Sequence, residues 1–437
     1  MREMWVARAA RLIAIAHRLS GSRPVRMWLA GILAALIVAG CSTGATSSPS
    51  VAATASPTDT ASVPASPTAS AMPSSNATLT PPLTFVATGS MHAARGEATA
   101  ILLKNGSVLV AGGVVQKPGV DDQDFYASAE LYDPTTGQFT STGSMSAARA
   151  DASAVILADG RVLIAGGEGC QDGQHCTDVS VDGLPPHKYG PLASAEIYDP
   201  TSGKFTRTGS MTQSGQHLSA TLLGDGKVLV AGLGSGADLY DPARGQFTAT
   251  VKVSDAGETA TLLPSGQVLL TGASLTEAHV YDEPSGKFST VSIALPAGTQ
   301  ITNYEDLGIS AATLLLDGRV LFFENGYLET YDPASGACTY DGSISPGVDW
   351  IFATATLRPD GQVLYEGGKL VAPVTYDSPN TKTAVLYDPA KRSFRTGSTQ
   401  VARSYQTATL LQDGAVLITG GHDDDLKPIG SAELFKP

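Results

Sequence analysis

A turn-plus-strand phrase that recurs seven times is the feature that most constrains how this chain can fold. Each copy places a tight turn before a short apolar run, and most copies then end in glycine. The copies are NGSVLVAGG from Asn105, DGRVLIAGG from Asp159, DGKVLVAG from Asp225, SGQVLLTG from Ser265, DGRVLFF from Asp317, DGQVLYEGG from Asp360 and DGAVLITGG from Asp413. Self-similarity of this kind indicates a repeat architecture, in which one small unit is built many times.

A second phrase follows each copy, and the two together predict four short antiparallel strands per unit, a to d. The second phrases are ELYDP from Glu130, EIYDP from Glu196, DLYDP from Asp238, HVYDE from His279, ETYDP from Glu329, VLYDP from Val385 and ELFKP from Glu433. Asp-Gly suits the positive φ of a tight hairpin between strands a and b. Strands a and b are almost wholly apolar, as strands buried on both faces are. We therefore predict an all-β protein, a β-propeller with seven four-stranded blades.

The seventh unit predicts how such a ring closes. It ends at Pro437 without a strand d, and a matching segment, residues 83–91 (LTFVATGSM), stands before the first unit. If this segment pairs with the last blade, the ring has no exposed strand edge at its seam. The content of 47 glycines and only 16% charged residues is typical of an all-β protein with many turns.

The two phrases resemble the Kelch repeat, with paired glycines after strand b, a following Tyr-Asp-Pro and an aromatic residue opening strand d. The resemblance covers about residues 83–437 and implies the galactose oxidase/Kelch type of propeller. The sequence departs from the family where strand d usually has tryptophan. The residues at that place are Phe139, Phe205, Phe247, Phe288, Phe394 and, in one unit, Cys338.

The first 40 residues resemble the signal peptide of a bacterial lipoprotein. Six arginines precede an apolar run, residues 27–40, that is too short as a helix to span a bilayer. The run ends in Val-Ala-Gly before Cys41, which resembles a lipobox and implies lipid attachment at Cys41. The alternatives are an ordinary signal peptide with a chance cysteine, or an uncleaved anchor, and translation could start at Met1 or at Met27.

Residues 41–82 are almost entirely Ser, Thr, Ala and Pro, so we expect a disordered linker between the membrane and a propeller at residues 83–437. We therefore place the protein in the bacterial cell envelope, outside the cytoplasm, held to the membrane by its lipid alone. A net charge of −13 disfavours nucleic acid as a partner. We expect a monomer.

The loops after strand b and the links into strand a vary in length, so we place any site on the face of the disk that carries them. Alignment of the units puts Arg95, Arg149, Trp350 and Arg403 near the start of strand a, with Tyr405 two residues later. We predict that these five residues bind a ligand, since arginine forks hold anions or sugar hydroxyls and aromatic rings stack on sugars. Kelch adaptors use inner-ring arginines in this way. The alternative is structural, with Arg95 paired to Glu97, Arg149 paired to Asp151 and the aromatic rings packed between blades.

Cysteine and acidic residues give weaker signals. Cys170 and Cys176 lie in the longest loop of an exported protein and predict a local disulfide. The rival interpretation is a metal site with Asp172, His175, Asp178 or His187. The run 423–425 (DDD) after His422 could bind a cation, although a solvated loop is the better interpretation. We expect Cys338 to be packed in an outer strand.

These patterns favour a binding module for a protein or glycan of the cell envelope, and we predict no catalytic residue, metal or cofactor. The alternative is a secreted oxidoreductase that resembles galactose oxidase, with a metal site on the long-loop face. Those copper oxidases need a Cys–Tyr crosslink, a second tyrosine and two histidines. Only His92, His217 and His422 are plausible on the site face, and no cysteine is expected near the axis. On this basis the sequence predicts that the chain is not an enzyme.

Overall fold

The computed structural model describes residues 82–116, 123–170, 189–215, 217–232, 236–250, 259–272, 277–293, 311–324, 327–344, 349–371 and 379–436. The predicted signal peptide and nearly all of the predicted linker lie outside these residues. The described residues form strands and turns, and none of them forms a helix long and apolar enough to cross a membrane.

Each repeat unit forms one four-stranded antiparallel sheet in the order a-b-c-d, and we number the sheets along the chain. Sheet 1 is Thr99–Leu102, Val108–Ala111, Ser128–Asp133 and Gln138–Ser144; sheet 2 is Ser153–Ile156, Val162–Ala165, Ala195–Asp199 and Lys204–Arg207; sheet 3 is Leu218–Leu222, Val228–Gly232, Gly236–Asp241 and Gln246–Ala249. Sheet 4 is Thr259–Leu262, Val268–Thr271, Glu277–Asp282 and Lys287–Ser292; sheet 5 is Ala311–Leu314, Val320–Glu324, Tyr327–Asp332 and Ala337–Ser343; sheet 6 is Thr354–Leu357, Val363–Glu366, Thr383–Asp388 and Ser393–Ser398.

The outer strand of sheet 7 comes from the N-terminal end of the described residues. Its strands a to c are Thr407–Leu410, Val416–Thr419 and Ala432–Lys436, and its fourth strand is Thr84–Ala87. The pairing is antiparallel, with Phe85 opposite Phe435. In sheets 1 to 4 and 6 the phenylalanine that opens strand d lies opposite the tyrosine of the Tyr-Asp phrase in the same way.

The hydrophobic core lies between consecutive sheets. Strand b is fully buried in all of its described side chains, because a sheet packs on each of its faces. One cluster joins Val162 of sheet 2 to Leu109 of sheet 1, and another joins Leu417 of sheet 7 to Val110 of sheet 1. The strands a of consecutive sheets also contact one another, and strand a of sheet 7 contacts strand a of sheet 1. Burying such a side chain contributes about 1.5–3 kcal/mol, so these clusters hold the sheets together.

Among the described residues, three small sheets contain strands from the b–c loops, and the repeat phrases do not predict them. Val114–Gln116 pairs with Gln123–Phe125, and Asp349–Ile351 pairs with Lys369–Val371. In the third, Glu168–Cys170 lies between Arg149–Ala150 and Tyr189–Pro191. These stems extend the sheets on the side of the long loops, where the sequence places any site.

Candidate functional site

Five residues at equivalent places just before strand a have backbone conformations that side chains rarely adopt. Their φ angles are +52° at Glu97, +51° at Asp151, +50° at His217, +58° at Phe352 and +57° at Tyr405. We call these five residues the rim. Left-handed backbone at non-glycine residues costs energy and tends to occur at functional sites. The rim is therefore a candidate site on the long-loop side of the sheets.

Hydrogen bonds donated by backbone N–H groups connect the rim from sheet 7 to sheet 3. The N–H of Glu97 donates to the carbonyl of Tyr405 at 3.1 Å, and the N–H of Asp151 donates to the carbonyl of Glu97 at 2.8 Å. The N–H of His217 then donates to Oδ2 of Asp151 at 2.9 Å. These bonds explain how the strained conformation is held in four neighbouring units.

The aromatic part of the rim is a stacked pair. The ring centroids of Phe352 and Tyr405 are 4.2 Å apart at 25°, and 41% of Phe352 is exposed. His422 contacts the edge of Tyr405, with ring centroids 6.0 Å apart. The His422 ring occupies the space that a side chain at Gly96 would need, and burial lowers the pKa of His422, so its imidazole is neutral. An exposed aromatic surface therefore rests on a buried neutral histidine.

The polar part of the rim is an aspartate–histidine pair. Nδ1 of His217 lies 2.8 Å from Oδ2 of Asp151, the same oxygen that accepts the backbone N–H of His217. The side chains of His217 and Asp151 are 52% and 37% exposed. One carboxylate oxygen therefore fixes both the backbone and the ring of a histidine that solvent can reach.

The three arginines predicted to bind a ligand are buried inside their own sheets. Arg95, Arg149 and Arg403 are at most 1% exposed. Nη1 of each donates to the carbonyl of the glycine seventeen residues further on, namely Gly112, Gly166 and Gly420, at 2.7, 2.7 and 2.8 Å. Nη2 of each contacts the glutamate of the strand-c phrase, namely Glu130, Glu196 and Glu433, at 3.0, 3.4 and 3.2 Å. This placement argues against contact with a ligand and for a structural role.

Trp350 takes the place of an arginine in the sixth unit. It is 1% exposed, and its indole N–H donates to the carbonyl of Gly367, again seventeen residues on. The indole therefore makes the same bond as the guanidinium Nη1, which leaves Tyr405 as the predicted ligand-binding residue that reaches the surface.

The arginine partners differ from those that the sequence suggested. Arg95 pairs with Glu130 and Arg149 with Glu196, whereas Glu97 and Asp151 belong to the rim. The sequence contained a usable signal, since the three arginine-bearing units all open their strand-c phrase with glutamate. Glu97, Asp151, His217 and Phe352 stand at the same place in their units as Tyr405, but the positive φ that these residues share is not visible in a sequence.

Some of the cysteine and acidic candidates lie among the described residues. Cys170 is disulfide-bonded, while Cys176, its predicted partner, lies outside the described residues. The rival metal ligands at positions 172, 175, 178 and 187 also lie outside them. Cys338 is a half-buried thiol opposite Tyr331. Oδ1 of Asp423 accepts the N–H groups of Asp425 and Lys427, as in an ordinary turn.

No protein-family model and no curated protein matches the chain. Among solved structures, the chain is similar to a fungal alcohol oxidase of the AA5 family in complex with copper. The two share 18% identity with a TM-score of 0.59, over 81% of this chain and 76% of that chain. At this identity the likeness shows a similar fold, and the four-stranded antiparallel sheets are consistent with a β-propeller.

This likeness corrects the prediction that the chain is not an enzyme. The fold it matches is that of an alcohol oxidase, so the structural comparison points towards an enzyme and gives no support to a pure binding module. The prediction was wrong because it rested on missing catalytic motifs, and such motifs do not record a likeness in fold.

A copper site of the kind found in that oxidase does not fit the described residues. They contain no group of three or more His, Cys, Asp or Glu side chains that could hold a metal ion. Tyr405 beside His422 supplies one tyrosine and one histidine, short of the two histidines and two tyrosines such a centre needs. We therefore assign no step to a metal.

Proposed function

We propose that this chain is an extracytoplasmic oxidoreductase that oxidises the hydroxyl group of a substrate bound at the rim. The observation that carries the proposal is the rim itself, where strained backbone presents an aromatic pair, two carboxylates and a histidine in neighbouring units. The fold likeness to an alcohol oxidase supports this choice over a binding module.

The scaffold in this proposal is a closed ring of seven blades. Support comes from the core clusters that join each sheet to the next, including sheet 7 to sheet 1, and from the pairing of Thr84–Ala87 with Ala432–Lys436. A closed ring would bring the entry of every strand a to one central opening. Side chains from separate units could then act on one substrate.

The aromatic pair suits the carbon skeleton of the substrate. Phe352 and Tyr405 offer a flat apolar surface on which the C–H face of an alcohol or sugar can pack. Glu97 and Asp151 supply carboxylates that can accept hydrogen bonds from hydroxyl groups. Tyr405, Glu97 and Asp151 lie on the same hydrogen-bonded run of rim residues, and Phe352 stacks on Tyr405.

The reaction transfers two electrons from the alcohol to dioxygen. The alcohol loses its hydroxyl proton and one carbon-bound hydrogen to become a carbonyl compound, and dioxygen becomes hydrogen peroxide. The rim binds the alcohol and holds its hydroxyl group; the electron carrier is not assigned to a described residue.

The test measures hydrogen peroxide formed from a panel of primary alcohols, polyols and sugars by residues 83–437, as purified and after copper loading. At least one alcohol should be oxidised in one of the two preparations. Absence of peroxide with every alcohol in both preparations would refute the oxidoreductase.

Two variants locate the site in the same assay. Phe352→Ala and Tyr405→Ala should raise KM about three- to tenfold, because each removes one face of the aromatic pair. Tyr340→Ala is the matched control, since Tyr340 is also exposed, at 44%, but lies on strand d of sheet 5. Equal effects in all three variants would place the substrate elsewhere.

A further inference from the structure

We infer that His217, oriented by Asp151, is the general base that takes the hydroxyl proton of the substrate. The inference rests on the proposed function for the identity of the substrate, but the geometry of the pair is independent of it. The similar oxidase enters here only through its fold.

Asp151 imposes one tautomer on the imidazole of His217. A carboxylate oxygen only accepts hydrogen bonds, so at 2.8 Å from Oδ2 the Nδ1 atom of His217 must carry a proton. In the neutral ring the lone pair then lies on Nε2. An imidazole with a proton-bearing nitrogen on a carboxylate and a lone pair on the other nitrogen is the arrangement of a general base with its orienting residue.

Asp151 also holds His217 rigidly. Oδ2 of Asp151 also accepts the backbone N–H of His217 at 2.9 Å, so the carboxylate cannot leave the ring without losing a second bond. The N–H of Asp151 is itself held by the carbonyl of Glu97 at 2.8 Å. Positive φ at both residues is therefore sustained by the contacts that aim the ring.

Another histidine of the chain, His92, also contacts a carboxylate. Nδ1 of His92 lies 2.9 Å from Oε2 of Glu130, so it also pairs with a carboxylate. That carboxylate, however, is buried and already binds Arg95 and two backbone N–H groups. His92 lies outside the rim, so it serves as a control for a histidine–carboxylate contact that has no place in the proposed site.

In the proposed step His217 takes the proton of the substrate hydroxyl group. The O–H bond of the alcohol breaks and an N–H bond forms at Nε2 of His217, which leaves an alkoxide and an imidazolium that the Asp151 carboxylate stabilises. Removal of the carbon-bound hydrogen and of two electrons, which reduces dioxygen to the hydroperoxide anion, is a separate step that needs the electron carrier and is not assigned to His217. The hydroperoxide anion takes the proton from His217, which gives hydrogen peroxide and restores the neutral ring.

The kinetic test compares kcat and KM for the best alcohol. His217→Gln should lower kcat about a hundredfold or more with KM changed less than about threefold, since a general base contributes about 10²–10⁴ to the rate. Asp151→Asn, whose amide oxygen can still accept the backbone N–H, should lower kcat about tenfold or more. His92→Gln should leave both constants unchanged, and a His217→Gln enzyme with unchanged kcat would overturn the inference.

A second measurement is independent of oxidation. Diethyl pyrocarbonate acylates the lone-pair nitrogen of a neutral imidazole, and mass spectrometry reports the rate at each histidine. Under alkaline conditions, where the imidazole is neutral in both proteins, Asp151→Asn should slow acylation of His217 about threefold or more, because the carboxylate makes Nε2 a stronger nucleophile, while the rate at His92 stays the same. If the wild type oxidises no alcohol, the proposed function fails and this rate alone decides on the pair. An unchanged rate at His217 overturns the inference even when oxidation is intact.

Discussion

Glu130 and Glu329 open the same strand-c phrase in two different sheets, and their pKa values move in opposite directions. Burial acts to raise the pKa of Glu130, but two backbone N–H groups, His92 and the charge of Arg95 bring it below its ordinary value. At Glu329, burial first and the nearby Asp341 second raise the pKa to about 7. At Glu130, the hydrogen bonds from the backbone and the charge of Arg95 therefore keep the carboxyl group an anion at neutral pH.

Glu366 gives a prediction at the scale of one residue. It is fully buried beside Thr354 and Gln406, and burial, its largest influence, raises its pKa from 4.5 to about 7. The folded state therefore binds a proton that the unfolded state has released between these two values. The contribution of Glu366 to stability is complete below about pH 4.5 and is lost as the pH rises through about 7.

We predict that Glu366→Gln makes the free energy of unfolding less dependent on pH between 5 and 8. We compare the free energy of unfolding of the variant with that of the wild type at each pH. Between pH 5 and pH 8 this difference should move in favour of the variant by about 3 kcal/mol. Urea denaturation at several pH values measures it, with exposed Glu277→Gln as the control. Glu329 titrates in the same window, so part of the slope should remain. Parallel curves for wild type and variant would contradict the prediction.

A Thr-Gly pair at the end of strand d links one sheet to its neighbour. The hydroxyls of Thr88, Thr142 and Thr208 meet those of Tyr132, Tyr198 and Tyr240 at 2.9, 2.9 and 2.8 Å. The glycine that follows each threonine donates its N–H to the Asp-x-x-x-Gly turn of the same neighbouring sheet. At Gly143 a Cβ would lie 2.3 Å from the carbonyl oxygen of Gly203, so no other residue fits without movement. The pair repeats because this contact repeats.

The first strand supplies a prediction at the scale of an element. Phe85 is 5% exposed and lies 5.1 Å from the ring of Phe435, whereas its neighbour Val86 is 41% exposed. Phe85→Ala should lower the free energy of unfolding by about 3–5 kcal/mol, because it opens a cavity between sheets 6 and 7. Val86→Ala should change it by less than about 0.5 kcal/mol.

Chemical denaturation of residues 83–437 measures both variants. A small loss in Phe85→Ala, similar to that of Val86→Ala, would show that the first strand contributes little to stability. It would also weaken the proposal of a closed ring, since that strand supplies the pairing at the seam.

At the scale of the whole molecule, the proposed lipid on Cys41 would attach the protein to a membrane. The proposal that Cys41 carries a lipid predicts that the full chain, expressed in a bacterium, fractionates with membranes and incorporates labelled palmitate. Cys41→Ser should lose the label and leave the membrane fraction, since stable anchoring needs more than one acyl chain. Cys338→Ser is the matched control, because Cys338 is a half-buried thiol within sheet 5. Membrane association that survives in Cys41→Ser would point to an uncleaved apolar segment.

The repeats made the class of fold predictable because strand pairing depends on local patterns that recur. Turn glycines, apolar strand b and the aromatic opening of strand d each follow from the sequence of one unit, and the structure has strands at these places. The extra stems such as Glu168–Cys170 with Tyr189–Pro191 were not predictable, since each occurs in a single loop.

The sequence by itself determined the all-β architecture, the four-stranded unit and the pairing of residues 84–87 with the last sheet. The tertiary structure decided what the residues around strand a do. Arg95, Arg149 and Arg403 looked like ligand-binding forks, but contacts with a glycine carbonyl and a glutamate distant in sequence bury them. The rim became visible only through its φ angles and through bonds between units, because a linear pattern records spacing but not which side chains meet across neighbouring sheets.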